Sequence, residues 1–305
     1  MHPAIDQAVS QAGQIILGKE RQIRLAFACL LARGHLLIED IPGVGKTTLA
    51  HVLAQILGLD FQRIQFTSDL LPADILGVSV YDRESASFKF HPGPIFAQLI
   101  LADEVNRATP KTQSALLEAM EEQQVTVEGE TRPLPEPFFV IATQNPMHQI
   151  GTFPLPESQL DRFLMRIDLG YPDAKSERAL LQGSDRSSLI AQLKPCMDGK
   201  RLAALQEDVR SVHVSAALLD YLQALLAFTR LSPLYDCGLS PRAGLALLHG
   251  AQAWALMEGR DYAVPEDLQV VLPSVVGHRL RFAHGETGAE ASSPAQRLLD
   301  AVAIP

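Results

Sequence analysis

Cysteine is scarce in this chain of 305 residues: Cys29, Cys196 and Cys237 stand far apart and form no C-x-x-C pair. That argues against a disulfide framework or a zinc site and reads as small core residues in a reducing compartment. Positive charge is also in short supply. Lys and Arg number 26 against 35 Asp and Glu, a net charge of -9. Such a balance disfavours coating nucleic acid through bulk charge, while leaving a local basic groove open. Long apolar runs are missing, since none approaches the ~18 residues that span a bilayer. The opening MHPAIDQAVSQAG has no basic stretch followed by an apolar one, so neither a signal peptide nor membrane insertion is expected, and the cytoplasm is the expected location. What is present is ordinary globular usage, 47% hydrophobic and 20% charged, in a length that suggests about two domains.

The first half alternates two periodicities. Ile23, Ala26, Phe27, Leu30 and Leu31 follow the helical repeat, as do Leu49, Val52, Leu53, Ile56 and Leu57. Between and after them come short, nearly continuous apolar runs: His35–Glu39, Phe61–Phe66, Gln98–Asp103, Phe138–Thr143 and Phe163–Leu169. Runs of that kind belong to strands buried on both faces, as in a parallel sheet covered by helices. The expected fold class is α/β, a three-layer αβα core with a parallel sheet over residues 1–172. Two segments read as inserted hairpins, at about 77–91 (Val78/Val80 against Phe88/Phe90) and 124–134 (Val125/Val127, then an EGE turn). Residues 173–194 are expected as a linker. Residues 195–305 are expected as a small all-α domain with a loosely ordered tail. Its apolar stripes are Leu218, Tyr221, Leu222, Leu225 and Leu226, then Leu268, Val271, Leu272, Val275 and Val276. Pro265 suits the start of the second helix and Pro273 is expected to kink it.

Three strand ends carry chemistry. Pro42-Gly43-Val44-Gly45-Lys46-Thr47-Thr48 lies between a strand and a helix, the setting of a phosphate-binding loop. Glycines there let backbone N–H groups turn toward phosphate oxygens, and the next helix points its positive end at the same anion. Lys46 supplies a point charge for the β- and γ-phosphates and Thr47 a hydroxyl for Mg²⁺. Asp40 stands where the strict pattern asks for a first glycine. A second run, Leu99–Ala102, ends in Asp103 and Glu104. Asp103 suits Mg²⁺ held through water, and Glu104 suits orienting or deprotonating the attacking water. A third run ends in Asn145, either a contact to the γ-phosphate or lytic water or a turn residue before Pro146.

The segments IEDIPGVGKTTLA, ILADEVNRATPKTQSALLEAMEEQQVTV, FFVIATQNP and FPLPESQLDRFLMRI together resemble MoxR-type AAA+ ATPases. The resemblance covers residues 15–170 and resumes at Leu239–Ala243 and Val264–Asp267. Members of that family commonly lack the first glycine, which accounts for Asp40. The resemblance implies that Lys46 and Thr47 are the Walker A pair and Asp103 and Glu104 the Walker B pair. It also implies Asn145 as sensor 1, Arg162 as the arginine finger and Arg242 as the sensor-2 arginine of a helical lid. Ile16 and Gly18 would lie near the adenine, and the hairpins would be the inserts of this AAA+ clade. It further implies Mg²⁺-dependent ATP hydrolysis in a ring, usually a hexamer, that remodels or activates a client protein. That activation often assists metal-cofactor insertion and involves a von Willebrand factor A domain partner.

Spacing leaves alternatives. Arg162 could form an ion pair with neighbouring Asp161, Arg107 and Arg166 are rival fingers, and Arg242 could be a helix-start residue with a solvated head. Met147–Ile150 departs from the family's more acidic wording, and His148 reads as an exposed loop residue rather than a metal ligand. Two other functions remain as expectations to weigh: a helicase-like nucleic-acid motor, and a nucleotide-binding scaffold with little turnover. Acidic charge counts against the first and the Asp103-Glu104 pair against the second.

Overall fold

The computed structural model describes residues 2–145, 151–183, 186–283 and 293–304. Its strands in chain order are β1 (Leu36–Glu39), β2 (Phe61–Gln65), β3 (Gly77–Asp82), β4 (Ser87–Pro92), β5 (Leu99–Asp103), β6 (Gln124–Val127), β7 (Glu130–Pro133), β8 (Phe139–Gln144) and β9 (Met165–Ile167). The helices of the first half are α1 (Pro3–Ile15), α2 (Glu20–Leu31), α3 (Lys46–Leu57), α4 (Pro72–Leu76), α5 (Pro110–Glu122) and α6 (Glu157–Leu160). Those of the second are α7 (Ala174–Gln182), α8 (Arg186–Ala191), α9 (Gly199–Ser211), α10 (Ala216–Leu231), α11 (Pro241–Met257), α12 (Pro265–Val276) and α13 (Pro294–Ala301).

Five strands form one sheet in the order β2-β5-β8-β1-β9, with every pairing parallel. Alternate residues serve opposite faces, as the two-residue strand period requires. Leu36, Ile38, Leu99, Leu101, Phe139 and Ile141 join an apolar cluster with α1, α2 and α3. Leu37, Ile100, Ala102, Val140 and Ala142 join a second cluster with Leu116, Leu117 and Met120 of α5. Both faces of β1, β5 and β8 are therefore dry, which is why those strands are almost unbroken apolar runs, whereas edge strand β2 carries exposed Gln62, Arg63 and Gln65. The first cluster continues into Leu205, Leu225, Leu247, Val271 and Leu298, so the helices after residue 195 share a core with one face of the sheet.

Two differences from the sequence reading have local causes. The run Phe163–Leu169 narrows to three residues of strand. The carbonyl of Phe163 accepts from Arg279 and the N–H of Leu169 donates to Asp40, so side chains take the bonds that would lengthen the ladder. Residues 173–194 form two helices rather than an extended joint. Asp173 caps α7, and Leu189 and Ile190 of α8 pack half-buried against the core. Pro273 lies within α12, whose hydrogen-bonded run ends at Val276. Of the tail, residues 284–292 lie outside the described residues. From Ser293 the chain is not loose: Ser293 caps α13, which buries Ala295 and Leu298.

The hairpins β3–β4 and β6–β7 stand apart from the main sheet. They touch each other, with the Arg132 guanidinium 4.1 Å from the ring centre of Phe90. Val78, Val80, Tyr81 and Phe88 of the first hairpin are exposed. Of the cysteines, Cys29 is a buried core residue as expected, Cys196 is half-buried and Cys237 is exposed; all three are free thiols. Among the described residues no helix is long and apolar enough to cross a membrane.

Candidate functional site

Parallel strands leave their C-terminal ends on one edge of the sheet, and ligands bind there where the chain leaves a central strand in both directions. β1 is that strand, flanked by β8 and β9. Its successor residues make the phosphate loop. Gly43 and Gly45 adopt φ of 85° and 98°, a left-handed backbone that L-residues avoid. A Cβ at either position would meet nothing within 4 Å, so the concave face of the loop is open. No side chain caps the first turn of α3, which leaves its N–H groups directed at that hollow.

The hollow, about 320 Å³, is lined by Pro42, Gly43, Gly45, Lys46, Thr47, Thr48, Asp103, Glu104 and Asn145. Residues from three separate strand ends therefore meet in one place. Lys46 is buried at the start of α3, and its Nζ donates to the Asp40 carbonyl (2.5 Å) and to Asn145 Oδ1 (3.1 Å). Burial pulls its pKa below the ordinary lysine value, opposed by the charges of Asp40, Asp103 and Glu104. Asn145 is also buried, and its Nδ2 donates to Glu104 Oε1 at 2.9 Å. With its oxygen toward Lys46 and its amide toward Glu104, Asn145 bridges the ammonium and the carboxylate.

Glu104 follows β5 with φ 56° and ψ 48°, a left-handed conformation that is strained for a non-glycine residue. Its N–H donates to Thr143 Oγ1 (2.9 Å), and the same hydroxyl donates to Asp103 Oδ1 (2.6 Å). Thr143 of β8 thus fixes both acids of β5. The other carboxylate oxygen of Asp103, Oδ2, accepts from Arg63 Nη2 (2.6 Å) and Nε (3.2 Å). Glu104 Oε2 accepts from Gln65 (3.0 Å) and Arg107 (2.8 Å).

Asp40, the residue at the position of the missing glycine, is buried and ties the loop to a remote segment. Its Oδ1 accepts from the Ile41 N–H (2.8 Å), and its Oδ2 from the N–H groups of Leu169 and Gly170 (both 2.6 Å). A glycine there would leave three backbone donors without this acceptor.

The hard oxygen donors of Thr47 and Asp103 line the same hollow. That set fits Mg²⁺, which takes few protein ligands and completes its shell with water and phosphate. Among the described residues no cluster of three or more His, Cys, Asp or Glu could hold a metal alone.

Other expected site residues lie elsewhere. Val44 is half-buried and packs toward the core. Ile16 is buried and Gly18 abuts the start of α7, where a Cβ would come within 2.5 Å of Ser176 Oγ and 2.7 Å of Asp173 Oδ2. Neither lines the phosphate hollow. Arg162 does not pair with Asp161: its Nη1 donates to the Leu117 carbonyl (2.6 Å) and its Nη2 meets Glu121 Oε2 (2.7 Å). Arg242, at the start of α11, pairs with the other oxygen of Glu121 and lies 3.9 Å from Asp161. The two arginines thus share one carboxylate, and neither lines the hollow of its own chain. Arg166 pairs with Glu39 (2.8 Å) and Arg107 with Glu104. Met147–Ile150, including His148, lie outside the described residues.

Sequence reasoning passed over Arg63, Gln65, Glu121 and Arg279. Arg279 is buried and binds Asp161 at 2.6 Å together with the carbonyl of Phe163 at 2.7 Å, locking the end of α12 to the core. The alternation in β2, with Arg63 and Gln65 two residues apart on one strand face, was the available signal for the first two. Nothing local marked Glu121 or Arg279.

Comparison with known proteins agrees with this geometry. Residues 35–165 match the ATPase family associated with various cellular activities (AAA), and residues 227–299 match the AAA lid domain. An uncharacterised protein of Bacillus subtilis, YeaC, is 44% identical over 100% of this chain and 96% of its own length. Chaperone MoxR1 of Mycobacterium tuberculosis is 38% identical over 99% of this chain and 82% of its own. A crystal structure from Cytophaga hutchinsonii, described only as a candidate ATPase, is 36% identical with a TM-score of 0.90 and covers 100% of this chain and 96% of that one.

Proposed function

The chain belongs to the MoxR-type AAA ATPases, and from that premise we propose Mg²⁺-dependent ATP hydrolysis in a ring that remodels or activates a partner protein. The observation that carries the reading is the unbroken run Lys46–Asn145–Glu104 around the phosphate hollow, with Asp103 beside it. The loop amides and Lys46 hold the β- and γ-phosphates. Thr47 and Asp103 would hold Mg²⁺, which would supply positive charge to offset that developing on the phosphates. Glu104 takes a proton from the water that attacks the γ-phosphorus as the bond to the β-phosphate oxygen breaks. Asn145 keeps that base pointed at the γ-phosphate. Ile16 and Gly18 flank the adenine from the side of α7.

Arg162 and Arg242 act together on the nucleotide of a neighbouring subunit. The support is their common partner, Glu121, and their absence from the hollow of their own chain. A positive group supplied in trans is worth ~10³–10⁵ in rate in related NTPases. The ring, a hexamer, moves the paired hairpins β3–β4 and β6–β7 with each cycle. A von Willebrand factor A domain protein is the proposed co-worker, metal-cofactor insertion into a client the proposed kind of task, and the cytoplasm the place. In domain terms, residues 1–172 form the ATPase core and 195–305 the lid.

Glu104→Gln tests the core of this. Nucleotide binding should persist while phosphate release falls about 10²–10⁴-fold. Unchanged turnover would remove Glu104 as the base. A Glu104→Gln ring loaded with ATP should also retain its client for identification.

A further inference from the structure

Edge strand β2 brings Arg63 onto the acid that the proposed mechanism assigns to the metal. Arg63 and Gln65 share one face of β2, and parallel pairing sets Gln65 opposite Asp103. Both oxygens of Asp103 are engaged, Oδ1 by Thr143 and Oδ2 by two nitrogens of Arg63. The Asp103 side chain is only 10% exposed, whereas that of Arg63 is 47% exposed. Since β2 is the outermost strand, the guanidinium has open solvent beside it into which it can swing.

Arg63 Nη2 also donates to Gln65 Oε1 (2.8 Å), which directs the Gln65 amide at Glu104 Oε2. Asp103, Arg63, Gln65 and Glu104 therefore form a continuous chain of side-chain hydrogen bonds. The guanidinium joins the acid assigned to the metal to the base assigned to the water.

We propose that Arg63 competes with the divalent metal for Asp103, and so sets the metal concentration at which the site loads. A guanidinium seated on Oδ2 and a divalent cation held through water by the same carboxylate repel each other and compete for its lone pairs. Metal arrival therefore requires Arg63 to release Oδ2. Its departure also removes the bond that orients Gln65 and so loosens one of the two donors on Glu104 Oε2, leaving Arg107 in place. Arg63 is a positioning residue in this scheme and touches neither nucleotide nor water. The inference rests on the reading that Asp103 faces the metal.

Mn²⁺ binding to the full chain in the presence of ADP, followed by electron paramagnetic resonance, tests it without turnover. Arg63→Ala should lower the half-saturating Mn²⁺ concentration about three- to tenfold. Arg63→Lys, which keeps the charge but loses the second donor, should shift it in the same direction by less. ADP affinity in excess EDTA should be the same in all three, because Arg63 does not line the phosphate hollow. Arg107→Ala removes an equal charge from Glu104 rather than Asp103 and should shift Mn²⁺ binding less than Arg63→Ala does.

An unchanged or raised half-saturation in Arg63→Ala overturns the inference, and so does an equal drop in Arg107→Ala. Asp103→Asn separates the two layers. If it weakens Mn²⁺ binding while Arg63→Ala leaves binding unchanged, only the competition fails. If it leaves Mn²⁺ binding intact, the metal reading itself fails. Should Arg63→Ala not fold, Arg63→Gln retains the stem and carries the same expectation.

Discussion

Replacing Asp40 by glycine would restore the strict G-x-x-x-x-G-K-[ST] pattern, yet the structure predicts damage. The buried carboxylate accepts three backbone N–H bonds, from Ile41, Leu169 and Gly170. A hydrogen bond to a charged group contributes about 1.5–3 kcal/mol net, and an orphaned buried donor costs a similar amount. Three such bonds on one acceptor are not additive, so a loss of about 3–6 kcal/mol is the working figure. The added chain freedom of glycine contributes about 0.5–1 kcal/mol in the same direction. With a urea slope of about 3 kcal/mol/M for a chain of this size, the unfolding midpoint should fall by about 1–2 M. Trp254, the single tryptophan, lies in the cluster shared by the sheet and the helices of the second half and provides the fluorescence signal. Asp40→Asn keeps one acceptor oxygen and should fall between the two. If Asp40→Gly unfolds within about 0.3 M of the parent chain, the carboxylate is not the anchor inferred here, and the sequence pattern was the better guide.

Two further expectations concern the shared arginines and a buried imidazole. Arg162→Ala should lower ATP turnover. Mixing it with Lys46→Ala subunits should restore part of that turnover, since an intact site that borders a Lys46→Ala subunit then receives an intact finger; no rescue at any ratio would place Arg162 in its own subunit's chemistry. His35 is buried, accepting from the Val140 N–H at Nδ1 (3.0 Å) and donating from Nε2 to the Met120 carbonyl (3.2 Å). Burial drives its pKa down to about 4, only partly offset by the Met120 bond. The folded chain thus keeps His35 neutral where the unfolded chain binds a proton. The stability involved is complete above about pH 6.5 and is lost as pH falls toward 4. Between pH 7 and 5 the loss from this residue should be about 2 kcal/mol. An imidazole resonance of His35 titrating near pH 6.5 in the folded protein would refute it.

The glycine-rich loop between β1 and α3 was legible because its determinants are contiguous. Glycines that tolerate positive φ, a lysine and a hydroxyl residue at the first turn of a helix, and an apolar strand just before them all lie between residues 36 and 57. The same holds for the inner strands β1, β5 and β8. A strand dry on both faces needs an unbroken apolar run, and that requirement is written locally. The hairpins were legible from alternation around polar turns, and two of the later helices, α10 and α12, from the apolar stripes that begin at Leu218 and Leu268.

Asp40 shows where legibility ends. As a letter it is a deviation from a pattern; in the fold it is the acceptor for amides 129 and 130 residues away. Arg63 meets Asp103 only because a crossover lays β2 beside β5, and Arg162 meets Arg242 only because the turn after α6 and the start of α11 both reach Glu121. The sequence by itself determined most of the elements and which residue types stand at each strand end, because backbone conformation and burial depend largely on neighbours in the chain. Which charged groups face one another was decided by tertiary structure alone. Coulombic and hydrogen-bonding partners are chosen by distance in space, and strand order, not sequence spacing, sets that distance.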